Sequence, residues 1–193
     1  ARQGYQVSGI DFSVRSLDYA KQSAAEKGLS IQYRQGDYTQ IEFGGPFHVI
    51  TLIYCDFGVL MPSARTALLK QIYASLLPGG VFLFDVFTPL NYEGKPETKR
   101  WFVEEQGYWS EEPALVLHAF YRYDQDASYC NQYVTIKPDA YTIYHVWEHG
   151  FTAAELERDL TAAGFQSVTF YGDVAGGPLE KDKTTLCVLA KKE

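Results

Sequence analysis

The first 88 residues alternate between strand-like and helix-like patterns of apolar positions. An apolar stretch at residues 5–10 predicts a strand, after which Ser13 opens a helical repeat that stops at Gly28. A second strand is predicted in SIQYR, residues 30–34. The nearly unbroken apolar run FHVITLIY, residues 47–54, is typical of a strand buried on both faces of a parallel sheet.

A helix and another strand continue this alternation. Pro62 opens the helix, and the segment LLPGG at residues 76–80 ends it with turn residues. The run VFLFDVF, residues 81–87, predicts a further buried strand. Alternating strands and helices with short connections predict an α/β fold with a doubly wound, mainly parallel, Rossmann-like sheet.

The pattern changes after residue 88 and returns after residue 150. Residues 89–150 lack a helical period and predict successive antiparallel strands within 114–124, 128–139 and 140–150. The segment FTAAELERDLTAAGF then carries the capping-box sequence of a helix N-terminus, and two more strands follow it. We therefore predict an α/β core made of residues 1–88 and 151–193, with 89–150 as a β-rich insertion or substrate cap.

Composition narrows the function classes. A net charge of −7 and the absence of a dense basic run disfavour a nucleic-acid partner. No apolar run approaches the roughly 20 residues that span a bilayer, so we expect no membrane partner. The three cysteines form no C-x-x-C pair and are expected to be reduced thiols of a cytoplasmic protein.

Two carboxylates follow predicted strands at positions where such sheets bind ligands. Ligands of doubly wound sheets lie at the carboxyl ends of the strands. Asp11 ends the first strand and is suited to accept hydrogen bonds from ribose hydroxyls, whereas Asp37 follows the second strand in the segment Gly36–Tyr38. The alternative for both is local structure, a helix-flanking carboxylate and a turn. For Asp56 and Asp85 the sequence leaves a cleft role and a structural role equally open.

Five segments in this order resemble class I S-adenosylmethionine-dependent methyltransferases, most closely the small-molecule "methyltransferase domain" type. They are GYQVSGIDFS, IQYRQGDYTQI, FHVITLIYCDFGVL, LLPGGVFLFDVF and FTAAELERDLTAAGF. The resemblance covers roughly two-thirds of the chain, residues 1–88 and 151–193, and implies S-adenosylmethionine as cofactor and a methyltransferase activity.

The resemblance also implies roles for individual residues. Asp11 would bind the cofactor ribose, and Phe12 would flank the adenine. Asp37, preceded by Gly36, would accept from the adenine amine, with the backbone of Tyr38 alongside. In the same way Tyr54 and Cys55 would line the methionine end of the cofactor.

One family feature has no counterpart in this sequence, the N-terminal glycine-rich motif. In dinucleotide-binding folds the acidic ribose ligand lies roughly 20 residues after the glycine-rich turn, and counting back from Asp11 passes residue 1. The family's first strand would lie between the strands predicted at 5–10 and 47–54. Its loss would leave two strand edges unpaired, so we expect the chain as it stands to bind cofactor poorly.

The sequence HVWEH, residues 145–149, matches the H-x-x-E-H pattern of a zinc peptidase group. That pattern requires a helix, and the flanking AYTIY predicts a strand, which would hold the two histidines roughly 13 Å apart. We therefore expect no metal site. His118, His145, Glu148 and His149 stay as candidate substrate-contacting or proton-shuttling groups, and no general base is assigned.

The expected partner is a small-molecule substrate, with a homodimer left open. Candidate substrate contacts are Phe57, which follows a predicted strand end, and Trp101, Trp109, Tyr121 and His145 of the insertion. The aromatic density of the insertion is suited either to a core of its own or to an apolar pocket. Two rival functions remain, a nicotinamide-dependent oxidoreductase and an inactive methyltransferase-like binding module or truncated product.

Overall fold

The protein divides into two units, Ala1–Pro46 and Phe47–Glu193. The structure is a computed structural model that describes residues 1–110 and 112–193. This division differs from the core and insertion predicted above, since residues 89–150 belong to the second unit. Among the described helices, none combines the length and the apolar character needed to cross a membrane.

The first unit contains a two-stranded parallel sheet and one helix. Strand β1 (Ser8–Asp11) pairs with β2 (Gln32–Gln35), and α1 (Val14–Glu26) connects them. As predicted, Ser13 is the N-cap of α1, and its hydroxyl accepts a hydrogen bond from the backbone of Ser16 at 3.2 Å. The strand begins later than predicted because ladder pairing with β2 starts only at Ser8.

The second unit is built on a four-stranded sheet in the order β3-β4-β10-β9. Strand β3 runs parallel to β4, whereas β10 runs antiparallel to both β4 and β9. The elements are β3 (Phe47–Leu52), α2 (Pro62–Ser75), β4 (Leu76–Phe87), α3 (Ala153–Ala163), β9 (Ser167–Tyr171) and β10 (Thr185–Lys191), with 3₁₀ turns at Asp56–Val59, Pro89–Asn91 and Asp124–Asp126.

The core of this unit is aromatic. Phe57, Phe82 and Phe84 are fully buried, with ring centroids 5.1 Å apart for Phe57 and Phe84 and 4.5 Å apart for Phe82 and Phe84. Helix α2 buries the apolar face predicted from its spacing, including Leu68 and Ile72. Aromatic packing of this kind adds specific geometry to a large burial of apolar surface.

The prediction that residues 47–54 are buried on both faces was wrong. Strand β3 is an edge strand and has no fully buried residue, and the side chain of Val49 is 54% exposed. Ile50 and Leu52, on the opposite face of the strand, are half-buried. Apolar composition indicates a strand suited to burial, but it does not specify how many of its faces other elements cover.

The insertion forms a separate antiparallel sheet in the order β5-β6-β7-β8. Strands β6 (Ala114–Tyr123), β7 (Ser128–Ile136) and β8 (Tyr141–His149) match the three predicted strands. Strand β5 (Thr98–Glu104) was not predicted, because its sequence TKRWFVE is rich in charge. We call the face of this sheet that carries His118 and Phe120 the inner face, and the opposite one the outer face.

Helix α3 has the predicted capping box. Thr152 and Glu155 each accept the other's backbone N–H, at 3.3 Å and 2.8 Å, and the staple residues Phe151 and Leu156 are both buried. Gly164 ends the helix at φ = +110°, where an added Cβ would lie 3.0 Å from the ring of Tyr73. The local sequence therefore fixes both ends of this helix.

Replacing Thr152 by alanine is expected to lower the free energy of unfolding by about 1 kcal/mol, because it leaves a helix N-terminal N–H without its acceptor. Thr161→Ala, at an exposed position of the same helix, is the matched control and is expected to change stability little. Urea unfolding followed by circular dichroism measures both. An equal effect of the two variants would contradict the capping role.

Candidate functional site

In the first unit, the two candidate carboxylates follow adjacent parallel strands. Asp11 pairs with Gln35 in the ladder, and its carbonyl accepts a hydrogen bond from the N–H of Gly36 at 3.0 Å. The chain reaches Asp37 one residue later. The structure therefore brings Asp11 and the segment Gly36–Tyr38 together at the carboxyl edge of the β1-β2 sheet, as the sequence predicts.

Asp11 also shapes the start of α1. Its Oδ1 accepts the N–H of Ser13 at 2.8 Å, so one carboxylate oxygen holds the turn into the helix. Phe12, between them, is 74% exposed. A half-buried carboxylate beside an exposed aromatic ring can bind the hydroxyls and the flat face of a nucleoside.

Asp37 has a local role as well. Its Oδ1 accepts from the backbone N–H of Thr39 at 2.8 Å and from the hydroxyl of Thr39 at 2.7 Å. These bonds lower the pKa of the exposed Asp37 carboxyl, the side-chain bond most. A Cβ at position 36 would lie 2.7 Å from Cδ1 of Ile41, so a larger residue than Gly36 would require that side chain to shift. Asp37 is thus an ionised turn residue whose second oxygen, Oδ2, is the one suited to a ligand amine.

In the second unit, β3 ends in a strained loop. Tyr54 has φ = +90° and Cys55 has φ = +61°, left-handed values that non-glycine residues rarely adopt. The carboxylate of Asp85 on β4 accepts the N–H of Tyr54 at 2.7 Å and of Cys55 at 3.0 Å. Strained backbone held in this way is concentrated at functional sites. Asp85, which the sequence left undecided, positions this loop.

The loop presents one side chain and buries the next. Tyr54 is 92% exposed, whereas Cys55 is buried, with its Sγ 3.7 Å from Oδ2 of Asp85. Burial, followed by the negative charge of Asp85, raises the pKa of the Cys55 thiol to about 12. Cys55 is therefore a neutral thiol at physiological pH and not a nucleophile. Phe57 lies in the aromatic core at 0% exposure, which corrects its assignment as a substrate contact.

A chain of polar side chains crosses the inner face of the insertion sheet. Arg100 donates to Nδ1 of His118 at 2.9 Å, and Nε2 of His118 lies 2.9 Å from Oδ1 of Asn131. The amide of Asn131 donates to Oε2 of Glu148 at 3.4 Å. Hydrogen bonds in such a chain polarise and orient one another. The chain therefore fixes the Glu148 carboxylate on the last strand of the sheet.

Glu148 lies beside two other groups of the second unit that are mostly buried. Tyr92 is 2% exposed, and its hydroxyl makes no hydrogen bond of normal geometry within the described part of the chain. Burial, and next the charge of Glu148, raises the pKa of Tyr92, and the same charge also acts on Cys55. Burial raises the pKa of Glu148 itself. A carboxylate with a raised pKa, close to the loop at the end of β3, is suited to accept a proton.

The remaining substrate candidates do not lie on one surface. Trp101, Tyr121 and His145 project from the outer face of the insertion sheet, as the strand register requires. Trp109 instead stacks on Tyr133 of the inner face, with ring centroids 3.9 Å apart. A single pocket wall made of all four is therefore not formed by the sheet.

The HVWEH segment forms part of a strand, as predicted, since β8 runs through residue 149. His145 is exposed and bonded to Gln132 at 2.8 Å, whereas His149 is half-buried, 3.7 Å from Glu155. Within residues 1–110 and 112–193, no three His, Cys, Asp or Glu residues are arranged to hold a metal ion. The separation of the two histidines follows from the extended backbone.

The family model and the relative that match this chain are both described as methyltransferases. Residues 1–80 match the model of the family described as "Methyltransferase domain". A protein of Geobacillus sp. (strain WCH70) described as a methyltransferase is 28% identical, over 83% of this chain and 71% of its own length.

Solved structures share the fold across nearly the whole chain. An S-adenosylmethionine-dependent methyltransferase from Clostridium acetobutylicum superposes with a TM-score of 0.73 at 14% identity, over 97% of this chain and 75% of the other. The glycopeptide N-methyltransferase MtfA, complexed with S-adenosylmethionine, superposes with a TM-score of 0.60 at 17% identity, over 100% and 79%. Residues 1–80 thus match the methyltransferase domain family, and the chain as a whole has the fold of class I S-adenosylmethionine-dependent methyltransferases.

Proposed function

We propose that this protein transfers the methyl group of S-adenosylmethionine to a small-molecule acceptor. The observation that carries the proposal is the arrangement of Asp11, Phe12 and Asp37 at the carboxyl ends of two adjacent parallel strands. This is the edge of an α/β sheet at which ligands bind. A carboxylate, an exposed ring and a second carboxylate match the ribose, the flat face and the amine of an adenosine.

Each residue of the first unit then has a defined task. The Asp11 carboxylate accepts from the ribose hydroxyls, and the Phe12 ring packs on the adenine. Asp37 accepts from the exocyclic amine through Oδ2, because Oδ1 serves the turn with Thr39. The resemblance assigns Tyr54 and Cys55 to the methionine end, and within the second unit Asp85 holds their backbone in a fixed conformation.

The bound cofactor supplies a methyl group that its sulfonium has already activated. The protein then contributes mostly orientation, because alignment of a nucleophile with the methyl carbon accounts for much of the catalysis. The nucleophile forms the new bond to carbon as the carbon–sulfur bond breaks. If the nucleophile carries a proton, as an amine or a hydroxyl does, a base must remove it.

We assign the removal of that proton to Glu148. Its carboxylate is half-buried, oriented by Asn131, and exerts its charge on Cys55 in the loop after β3. The buried Tyr92 hydroxyl beside it is suited to donate a hydrogen bond to the acceptor molecule or to Glu148. The acceptor proton passes to the Glu148 carboxylate, which releases it to solvent after the product leaves.

Titration of S-adenosylhomocysteine into the protein tests the cofactor assignment directly. Asp11→Asn is expected to weaken binding by about 10- to 100-fold, since a hydrogen bond to a charged group contributes about 1.5–3 kcal/mol. Asp18→Asn, which alters an exposed carboxylate on α1, is the matched control and should leave binding unchanged. Calorimetry of both variants and of the parent gives the dissociation constants.

Three further outcomes separate the rival functions. The titration is run on this chain and on a form extended at its N-terminus where the gene encodes one. Binding by the extended form alone locates part of the site upstream of residue 1. Binding of a nicotinamide dinucleotide instead would overturn the proposal in favour of an oxidoreductase. Binding of S-adenosylhomocysteine without any methyl transfer would support a non-catalytic module.

A further inference from the structure

One end of the outer face of the insertion sheet is apolar across all four strands. Residues paired directly across antiparallel strands project to the same face. The two rows at one end of the outer face, which we call the apolar rows, contain only aliphatic and aromatic side chains. The first row is Trp101, Leu117, Val134 and Ile143, and the second row is Val103, Leu115, Ile136 and Tyr141.

These rows are exposed in the protein. The side chains of Trp101 and Tyr141 are 71% and 70% exposed, and those of Val103 and Ile143 are 58% and 48% exposed. Trp147 and Tyr123, whose rings are 5.4 Å apart, lie on the same face beyond the row that carries Lys99, Gln132 and His145. Antiparallel sheets that face water on one side normally carry polar residues there. The outer face departs from that pattern in the apolar rows, whereas the next row carries Lys99, Gln132 and His145.

The inner face shows that the apolar rows are not needed to hold the sheet in place. Val116, Phe120 and Tyr129 on the inner face are buried, and Phe120 and Tyr129 form a cluster with Tyr92. The insertion sheet thus has a packed face already. The apolar rows of the outer face are not part of this cluster and are largely exposed in the described chain.

The exposed area of the outer face is of the size that a stable dimer buries. Large aromatic side chains carry about 150–250 Å² each, so the exposed parts of the apolar rows with Trp147 and Tyr123 amount to roughly 700–900 Å². A standard interface buries about 800 Å² on each partner. Single apolar patches on monomeric proteins are usually about 300–600 Å².

Charge favours a second copy of this chain as the occupant. The protein carries a net charge of −7, so two copies repel one another at most surfaces. The apolar rows carry no charge, and the neighbouring row contributes Lys99 and His145 but no carboxylate. In a twofold dimer the same patch lies on both subunits and buries itself. We propose that the outer face of the insertion sheet is a homodimer interface, in which the apolar rows of two copies pack face to face.

Sedimentation velocity on the chain at micromolar concentration tests the proposal. The parent is expected to sediment at twice its mass of 21.8 kDa. Trp101→Glu and Ile143→Glu, on the two edge strands of the sheet, should each weaken the dimer by about 100-fold or more, since an unpaired charge would be buried in the interface. Tyr19→Glu changes an aromatic residue of α1 that is 75% exposed, and is expected to leave the dimer intact.

The outcomes are distinguishable from those of the methyltransferase proposal, because sedimentation needs no cofactor. Circular dichroism confirms that each variant is folded, and the exposure of Trp101 makes its substitution mild for the monomer. A folded parent that is monomeric at tens of micromolar would overturn the proposal. So would a dimer that both glutamate variants leave intact. If this chain forms the dimer but an N-terminally extended form does not, the proposal would be overturned. The added segment of the protein's own chain would then be the part that covers the outer face.

Discussion

Replacing Asp85 by alanine is expected to lower the free energy of unfolding by about 2–4 kcal/mol. The carboxylate accepts two backbone N–H groups, from Tyr54 and Cys55, and the second of these residues is buried. Both residues have left-handed backbone conformations, which cost of order 1–3 kcal/mol each and persist only when the surroundings hold them. The variant therefore loses two charge-assisted hydrogen bonds and the restraint on a strained loop together.

Urea unfolding of Asp85→Ala, Asp85→Asn and Asp182→Ala measures the effect. Asp85→Asn keeps one acceptor oxygen without its charge and should lose about half as much stability as the alanine variant. Asp182 is exposed and serves as the control for removing a carboxylate. A loss below about 1 kcal/mol for Asp85→Ala would contradict the positioning role, and the loop would then be held by its packing alone.

Local signals in the sequence predicted local structure well. Ser13, Thr152 and Glu155 cap their helices as expected, because capping depends on residues within one turn. The three strands of the insertion were found from β-branched and aromatic runs between turns. In contrast, the burial of β3 depends on which other elements cover it, and that information is not contained in its own six residues.

The residues of the candidate site also differ in how far the sequence alone could predict them. Asp11 and Asp37 could be named because strand ends are readable from the sequence, and the ladder brings them to one edge. Asp85 could not be assigned, since its partners lie 30 and 31 residues earlier and the bond depends on the pairing of β3 with β4. The face of Trp101 required the strand register, because a shift of one residue would move its side chain to the other face. Trp109 lies in the connection after β5, and its place follows from its stacking on Tyr133.

The sequence identified Glu148 as a candidate residue but did not indicate its role. The sequence kept it among four candidate residues of the insertion, with no reason to prefer it. Its distinction arises from the inner face, where Asn131 on the neighbouring strand orients the carboxylate and Tyr92 lies close by. None of these relations follows from residue spacing, because they join three segments separated by long stretches of chain.

Replacing Glu148 by glutamine is expected to lower the rate of methyl transfer by about 10²- to 10⁴-fold, the usual contribution of a positioned general base. Glutamine keeps the shape of the side chain and can still bond to Asn131 but cannot take up a proton. The binding of S-adenosylhomocysteine should not change, because our proposal gives Glu148 no contact with the cofactor. Glu157→Gln, at an exposed position on α3, is the control.

The pH dependence of the rate provides an independent test of the same role. Burial raises the pKa of Glu148, against the opposing effects of Tyr92 and Lys95, and its charge is felt by Cys55 and Tyr133. A base must be deprotonated to act, so the rate should fall as the pH decreases through this raised pKa. The acid limb should therefore lie above the pH at which an ordinary glutamate titrates, and Glu148→Gln should abolish it.

Release of S-adenosylhomocysteine from S-adenosylmethionine, with a panel of primary amines and phenols as acceptors, gives these rates for the parent and both variants. An unchanged acid limb in Glu148→Gln would assign the titration to another group. Full activity of Glu148→Gln with an acceptor that carries a proton on its nucleophile would exclude Glu148 as the base. In either case the hydrogen-bonded chain from Arg100 through His118 and Asn131 would serve to hold the insertion sheet together instead of supporting proton transfer.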